Sequence, residues 1–274
     1  MRWVFVPGDF HIRSCQNNNT QKNKQETKMK RTLVAVLLTL IAPTVWAADD
    51  NNNARGVNPA DNLTKMELLP QLRALGDTSV TSLTFKYDHA IRRVFGINAE
   101  LPLVRYSGHG FSDNGLGDLT LRARGQHTWG RHTLIGATEF ILPTATEKTL
   151  GAQQYTFDPI LGYVYSFGHN VFGALVAKQF ISLHNTDPDF APDINQGQYR
   201  VLLGYASNNG WWVLADPQVW VNYETGRQEF FAELELGTML NKTTGVWVRA
   251  GHRLGGNWTR ADWTILMGIR FMQF

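Results

Sequence analysis

Ala261-Asp262-Trp263-Thr264-Ile265-Leu266-Met267-Gly268-Ile269-Arg270-Phe271-Met272-Gln273-Phe274 closes the chain. Trp263, Ile265, Met267, Ile269 and Phe271 fall on one face of an extended strand, and Thr264, Gly268 and Arg270 fall on the other. A period of two gives a strand one apolar and one wet face. An edge strand of a soluble sheet reads the same way, so the stretch is decided by what precedes it.

The same period recurs upstream. Leu83, Phe85 and Tyr87 alternate with Thr84, Lys86 and Asp88, and Phe95, Ile97, Ala99, Leu101 and Leu103 alternate with Asn98 and Glu100. Asp118 to Trp129 is the cleanest case: Leu119, Leu121 and Ala123 against Thr120, Arg122, Arg124, Gln126 and Thr128. Further runs set Leu134, Phe140 and Leu142 against Glu139, and Tyr155, Phe157, Leu161, Tyr163, Tyr165 and Phe167 against Asp158. Others set Tyr199, Val201, Leu203 and Tyr205 against Arg200, and Val213, Val219, Val221 and Tyr223 against Asp216, Gln218 and Asn222. Two more set Phe230, Ala232, Leu234, Leu236 and Leu240 against Glu233 and Glu235, and Val246, Val248 and Ala250 against Arg249 and Arg253. Val171 to Leu183 is apolar on both faces, so its facing stays open. Leu63 to Ala74 alternates too but carries Pro70, and a short helix competes with a strand there.

The connections decide the architecture. Trp129 to His132, Gly168 to Asn170, Asn208 to Gly210 and Asn241 to Thr244 are tight turns. Between them lie longer links: Tyr106 to Leu116, Thr144 to Gln154, His184 to Gly197 and Gly255 to Arg260. Alternating short and long connections predict a transmembrane β-barrel with both termini in the periplasm and an even number of strands. Leu63 to Ala74 then supplies the twelfth. The expected fold is all-β, one antiparallel barrel over 63–274. An amphipathic last strand ending on Phe is also how bacterial outer-membrane barrels usually end. Counted back from Phe274, the alternate positions are Met272 and Arg270, so a bulge near Phe271 is one reading.

Composition agrees. Aromatic residues make up 12% of the chain and Gly counts 25, which suits short barrel strands. No apolar run reaches the ~18 residues of a membrane helix. The sequence pI near 9.0 comes from the leader. Seven of the 26 Lys/Arg and two of the 23 Asp/Glu precede residue 49, leaving 19 basic and 21 acidic residues. Bulk charge therefore gives no case for a nucleic-acid partner. Cys15, in the leader, is the only cysteine, so the exported part is stabilised without a disulfide.

Lys28, Lys30 and Arg31 precede the apolar run Leu33 to Ala42, and Pro43 and Val45-Trp46-Ala47 follow. A basic end, a short apolar core and small residues at the cleavage point read as a secretory signal peptide over 29–47. Residues 1–28 read as an upstream extension before a start at Met29, and the Asn-rich 48–62 as a flexible periplasmic tail. The expected address is the bacterial outer membrane. Expected partners are outer-membrane lipid and lipopolysaccharide, the barrel-assembly machinery and small solutes.

Gly115-Leu116-Gly117-Asp118-Leu119-Thr120-Leu121-Arg122 opening a strand resembles the "GxGDL" motif of the outer-membrane family named for a meta-pathway of phenol degradation. Asn58-Pro59-Ala60-Asp61-Asn62-Leu63-Thr64 and Leu142-Pro143-Thr144 resemble the same family. The resemblance implies a twelve-stranded barrel that passes small, often hydrophobic or aromatic, compounds, and it brings no catalytic residues.

His109-Gly110-Phe111-Ser112 invites a Ser/His hydrolase reading, yet the two side chains sit three apart in a Gly-rich segment, and a solvated loop explains them better. His127, His132, His169, His184 and His252 lack ligand spacing, and Asp187, Asp189 and Asp193 flank prolines as polar loops do. No metal and no cofactor is expected. The inward charges carry more weight: Glu67, Asp88, Glu100, Glu139, Asp158, Asp216, Glu233 and Glu235 against Arg73, Lys86, Arg122, Arg124, Arg200, Arg249 and Arg253. They form either a self-neutralised network filling a narrow barrel or a polar lumen whose free charges select solutes. The near balance of sign favours the first for most of them. Three functions remain: a passive channel for small solutes, a barrel enzyme acting on lipid or lipopolysaccharide, and a plugged structural barrel.

Overall fold

The computed structural model describes residues 56–168 and 170–272. The expected signal peptide and upstream extension, most of the expected tail, Gln273 and Phe274 lie outside them. Thirteen strands form one antiparallel sheet: β1 (Lys65–Leu75), β2 (Thr78–Arg92), β3 (Phe95–Gly108), β4 (Phe111–Leu116), β5 (Leu119–Trp129), β6 (His132–Leu142), β7 (Gln154–Ser166), β8 (Val171–Asn185), β9 (Asn195–Ala206), β10 (Trp211–Asn222), β11 (Arg227–Met239), β12 (Thr244–Gly256) and β13 (Trp263–Met272). With β4 set aside, each strand pairs with the next, and β1 closes the ring on β13, with Lys65 opposite Met272 and Ala74 opposite Trp263. Closure leaves the wall no free edge.

The wall has twelve staves, because β4 and β5 share one. Both pair with β3, β5 along Phe95 to Glu100 and β4 along Leu103 to Gly108. Tyr106 to Leu116, expected as a loop, is thus mostly strand. His109 and Gly110 both take positive φ, 53° and 81°, the left-handed pair a two-residue hairpin turn requires. Pro70 does not break β1, which pairs along its length with β2. The last strand alternates without a bulge through Met272, in unbroken register with both neighbours and with Arg270 facing inward.

Both ends of the described chain and the turns that follow β2, β5, β7, β9 and β11 lie at one end, the terminal end. The opposite, loop end carries three tight turns, at 76–77, 109–110 and 223–226, and the longer connections. Outward side chains form an apolar belt that includes Leu83, Phe85, Leu121, Leu161, Leu175, Leu203, Leu234 and Met267, all exposed. Two-faced β8 resolves: Phe172, Ala174 and Phe180 are buried inside the ring, and Val171, Leu175 and Leu183 are exposed outside it. Among the described residues no helix is long and apolar enough to cross a membrane, and a barrel crosses with its strands. A closed ring with an apolar outer belt belongs in a bilayer, and the chain is an outer-membrane barrel.

Candidate functional site: the barrel interior

The interior is filled in three layers. The middle layer is ionic. Arg122 on β5 pairs with Glu139 directly opposite on β6 and lies 3.5 Å from Glu100 on β3. Lys178 on β8 binds the other oxygen of Glu139 and sits 3.3 Å from Asp158 on β7. Arg200 on β9 pairs with Asp216 on β10. Arg249 on β12 binds Glu235 across the ladder, with Nε to Oε2 at 2.8 Å, and reaches Asp216 at 3.6 Å and Glu233 at 3.7 Å. Arg270 on β13 donates to Glu67 on β1 at 2.6 Å, and Lys86 on β2 stands 3.3 Å from the same carboxylate.

The belt therefore runs round the barrel, and period two alone puts it there: each charge is an inward position between two lipid-facing ones. Its carboxylates are almost fully removed from solvent, Asp158 at 0% and Glu139 at 1% exposed. A wide aqueous lumen would leave them wet. Burial of such charges is tolerated only where opposite charges compensate, and each carboxylate of the belt has a Lys or Arg nitrogen within 4 Å.

Arg253 and Arg124, also expected in the lumen, lie outside this belt. Arg253 lies near the loop rim, 3.9 Å from Glu229 and donating to the Trp258 carbonyl. Arg124 points to the terminal end, where it donates to the Pro59 carbonyl at 2.8 Å, and Gln126 donates to the Ala60 carbonyl at 2.8 Å. These bonds hold residues 56–62, read from composition as the end of a tail, inside the ring. Val57 and Ala60 pack on a cluster of Ile135, Val164, Phe172, Ala174, Leu202 and Leu214. Val57 also touches a second cluster of Leu69, Trp212, Trp247 and Leu266. The rings fit because a glycine stands opposite each: Phe172 over Gly204, Trp212 over Gly237 and Trp247 over Gly268, where any Cβ would collide with the ring.

Burial pushes the Asp61 carboxyl up to about 6, against the pull of Lys65, the Gly56 amide, Arg270 and Arg124. A released segment would return Asp61 to the ordinary range near 4. The docked segment then holds its proton more tightly than the released one, so docking strengthens as pH falls through about 6 and weakens above it. Conductance through the barrel should fall between pH 7 and pH 5, and an Asp61→Asn variant should lose that dependence.

The loop end is closed by folded connections. The Asp118 carboxylate leaves the wall at Gly117 and accepts the Ala145 amide at 3.1 Å and the Ala152 amide at 2.6 Å. Leu119 donates its amide to the Thr144 hydroxyl at 2.8 Å. Leu150, fully buried, then packs inside on Val80 and Val104. Trp220, Phe180, Ile194, Ala152 and Trp258 form the neighbouring cluster, with the Arg260 guanidinium 3.4 Å from the Trp220 ring centre. Sequence reasoning missed Lys178, Asp118, Arg260 and the 56–62 segment as interior residues. Only Lys178 had a local signal, its parity with Phe172 and Phe180.

The residues weighed for catalysis and metals are scattered. His109 is at the β3–β4 hairpin turn and Ser112 pairs with Ser107 across it. Asp187 binds Lys148, and Asp193 accepts from Asn185 at 3.0 Å. His127 and His132 lie on the outer wall, His184 beside Tyr155, and His252 is exposed. Among the described residues no group of three or more metal-type side chains converges.

Fold and interior together define a narrow, filled β-barrel with an apolar outer belt. Its structure is similar to that of an outer-membrane channel from Pseudomonas putida F1, with a TM-score of 0.66 and 13% identity over 83% of this chain and 100% of that one. It is also similar to the NanC porin, with a TM-score of 0.57 and 8% identity over 75% of this chain and 98% of that one. The KdgM porin in complex with disordered oligogalacturonate gives a TM-score of 0.54 and 8% identity over 76% of this chain and 98% of that one. No protein-family model matches the chain and no curated protein matches its sequence. At these identities the likeness is one of fold.

Proposed function

We propose that the chain is a passive outer-membrane channel for small solutes, seen here in a closed state, with both termini in the periplasm. The observation that carries this reading is the docked 56–62 segment. It fills the terminal end from inside, and two side chains of the wall opposite, Arg124 and Gln126, hold it by its backbone. Such a segment can leave without opening the strand ladder. Both ends of the interior are lined by apolar and aromatic side chains, which favours small solutes with apolar parts over highly charged ones. The channel and porin fold of the similar structures supports the same reading.

We further place the chain with the outer-membrane family named for the phenol meta-pathway. The support is that its three motif segments each have work to do in this fold. Gly117 and Asp118 with Thr144 lock the loop after β6, Asn62 donates to the Arg92 and Phe95 carbonyls, and Pro59 accepts from Arg124. The barrel is non-catalytic in this reading: Ser112→Ala should leave any background ester hydrolysis by purified protein unchanged.

Liposome swelling tests the proposal. Purified chain in liposomes should admit small sugars, amino acids and aromatic acids with a steep size limit and no passage of oligosaccharides. Liposomes that swell no faster than empty ones for every solute would favour a plugged structural barrel.

A further inference from the structure

The segment that fills the terminal end is held the way a bound ligand is held. Val57 and Ala60 lie on the apolar cluster that includes Ile135, Val164, Phe172, Leu202 and Leu214. The Pro59 and Ala60 carbonyls accept from Arg124 Nη2 and Gln126 Nε2, each at 2.8 Å. Next along the segment comes a carboxylate, Asp61, attracted by Lys65, Arg270 and Arg124. An apolar body, carbonyl oxygens and one negative charge thus each meet a matching surface on the wall. These contacts lie outside the strand ladder, so the segment can give them up without unzipping a strand.

The match on Arg124 is incomplete. A guanidinium offers its N–H donors in a planar fork whose edge fits both oxygens of one carboxylate. Here Nη2 serves the Pro59 carbonyl and the Gln126 amide oxygen, while Nε is buried with no hydrogen-bond acceptor. A carbonyl takes one N–H of such an edge, whereas a carboxylate takes Nε and Nη2 together, in the bidentate arrangement that charge strengthens. The neighbouring belt acid does not fill the place. Asp88 attracts Arg124, but its Oδ2 stands 3.7 Å from Lys86 and 4.0 Å from Lys65, and Asn98 donates to its Oδ1 at 3.1 Å. Arg124 is thus shaped for a carboxylate and occupied by a poorer acceptor.

We propose that the wall behind residues 56–62, built on Arg124, Gln126 and the apolar cluster around Phe172, binds small monocarboxylates with an apolar body, and that the docked segment is a built-in competitor for that site. The proposal rests on the channel reading, which supplies a solute and a segment that can leave. The solute carboxylate takes the Nε and Nη2 edge of Arg124, and the Gln126 amide donates to one of its oxygens. The apolar body lies where Val57 and Ala60 lay. A neutral alcohol of the same shape leaves the Arg124 edge unfilled. Because solute and segment exclude one another, a bound acid holds the terminal end open.

The test titrates 4-fluorobenzoate and 4-fluorobenzyl alcohol into the full mature chain in detergent at pH 7, with binding read by fluorine NMR against empty micelles. A Val57→Asn, Ala60→Asn variant loosens the segment without touching the wall. It should bind the acid about tenfold more tightly than wild type does, since the competing segment is displaced from most molecules. In that released chain the acid should bind better than the alcohol on the order of tenfold, as a hydrogen-bonded charge pair does. Adding Arg124→Gln should bring the acid down to the affinity of the alcohol, while alcohol binding and heat-modifiable gel migration stay unchanged. Adding Arg131→Gln, a turn cation at the same end, should leave the preference intact. Equal affinities for acid and alcohol in the released chain, a preference that survives Arg124→Gln, or identical acid binding by wild type and released chain overturns the proposal. Binding is read without solute flux, so a barrel that fails to conduct leaves this result intact, and a conducting barrel without the preference leaves the channel reading intact.

Discussion

Replacing Arg249 by methionine should lower the unfolding free energy of the barrel by about 3–5 kcal/mol, the cost of leaving buried carboxylates without their cation. Arg249 is 7% exposed and serves Glu235, Glu233 and Asp216 at once. Without it, Arg200 remains beside Asp216, and Glu235 loses the charge opposite it in the ladder. Pairing Arg249→Met with Glu235→Gln should recover part of the loss, because removing both partners spares the orphaned charge. Arg253→Met, at the half-buried rim, should cost less than about 1 kcal/mol. Urea titration in lipid or detergent measures all three. An unchanged midpoint for Arg249→Met would mean that the belt is hydrated and that the interior is not closed.

The second large effect lies on the other side of the same strand pair. Leu234 on β11 is 50% exposed, midway along its stave, and faces Ala215 and Ala250 on its neighbours. Leu234→Arg should cost about 2–4 kcal/mol and reduce insertion, as a cation placed against lipid near the midplane does. The same change at Leu240, by the terminal-end turn, should cost about 0–1 kcal/mol. Equal effects at the two depths would show that the bilayer is not centred on this belt.

Much of this was legible in the chain. Alternation alone placed Arg122, Glu139, Arg200, Asp216, Glu235 and Arg249 on one wall and Leu121, Leu203 and Leu234 on the other, because every stave has one wet and one greasy side. Val171 to Leu183 was illegible for a reason now plain. Its inner face lines the apolar cluster against Val57 and Ala60, so the stave is apolar on both sides, and Lys178 was hidden in it. Arg270 looked out of place in a terminal strand. It is the inward cation that binds Glu67 across the β1–β13 seam. Composition could not reveal the docked 56–62 segment, since Asn, Pro and Asp read alike whether a segment is free or tethered through its carbonyls. The Gly117–Asp118 step was likewise opaque: its meaning depends on Ala145 and Ala152, distant in sequence by 27 and 34 residues.

The closed state held by the N-terminal segment is tested most directly by single-channel recording in a planar bilayer. Three mature chains are compared: the full chain, one lacking residues 48–62, and the Arg124→Ala, Gln126→Ala variant that releases the Pro59 and Ala60 carbonyls without shortening the chain. The full chain should stay mostly closed with brief small openings, and both variants should show longer openings of larger conductance, rising further from pH 5 to pH 7 only where Asp61 can still dock. Identical records from all three chains would contradict the account, since the segment would then not be what closes the barrel.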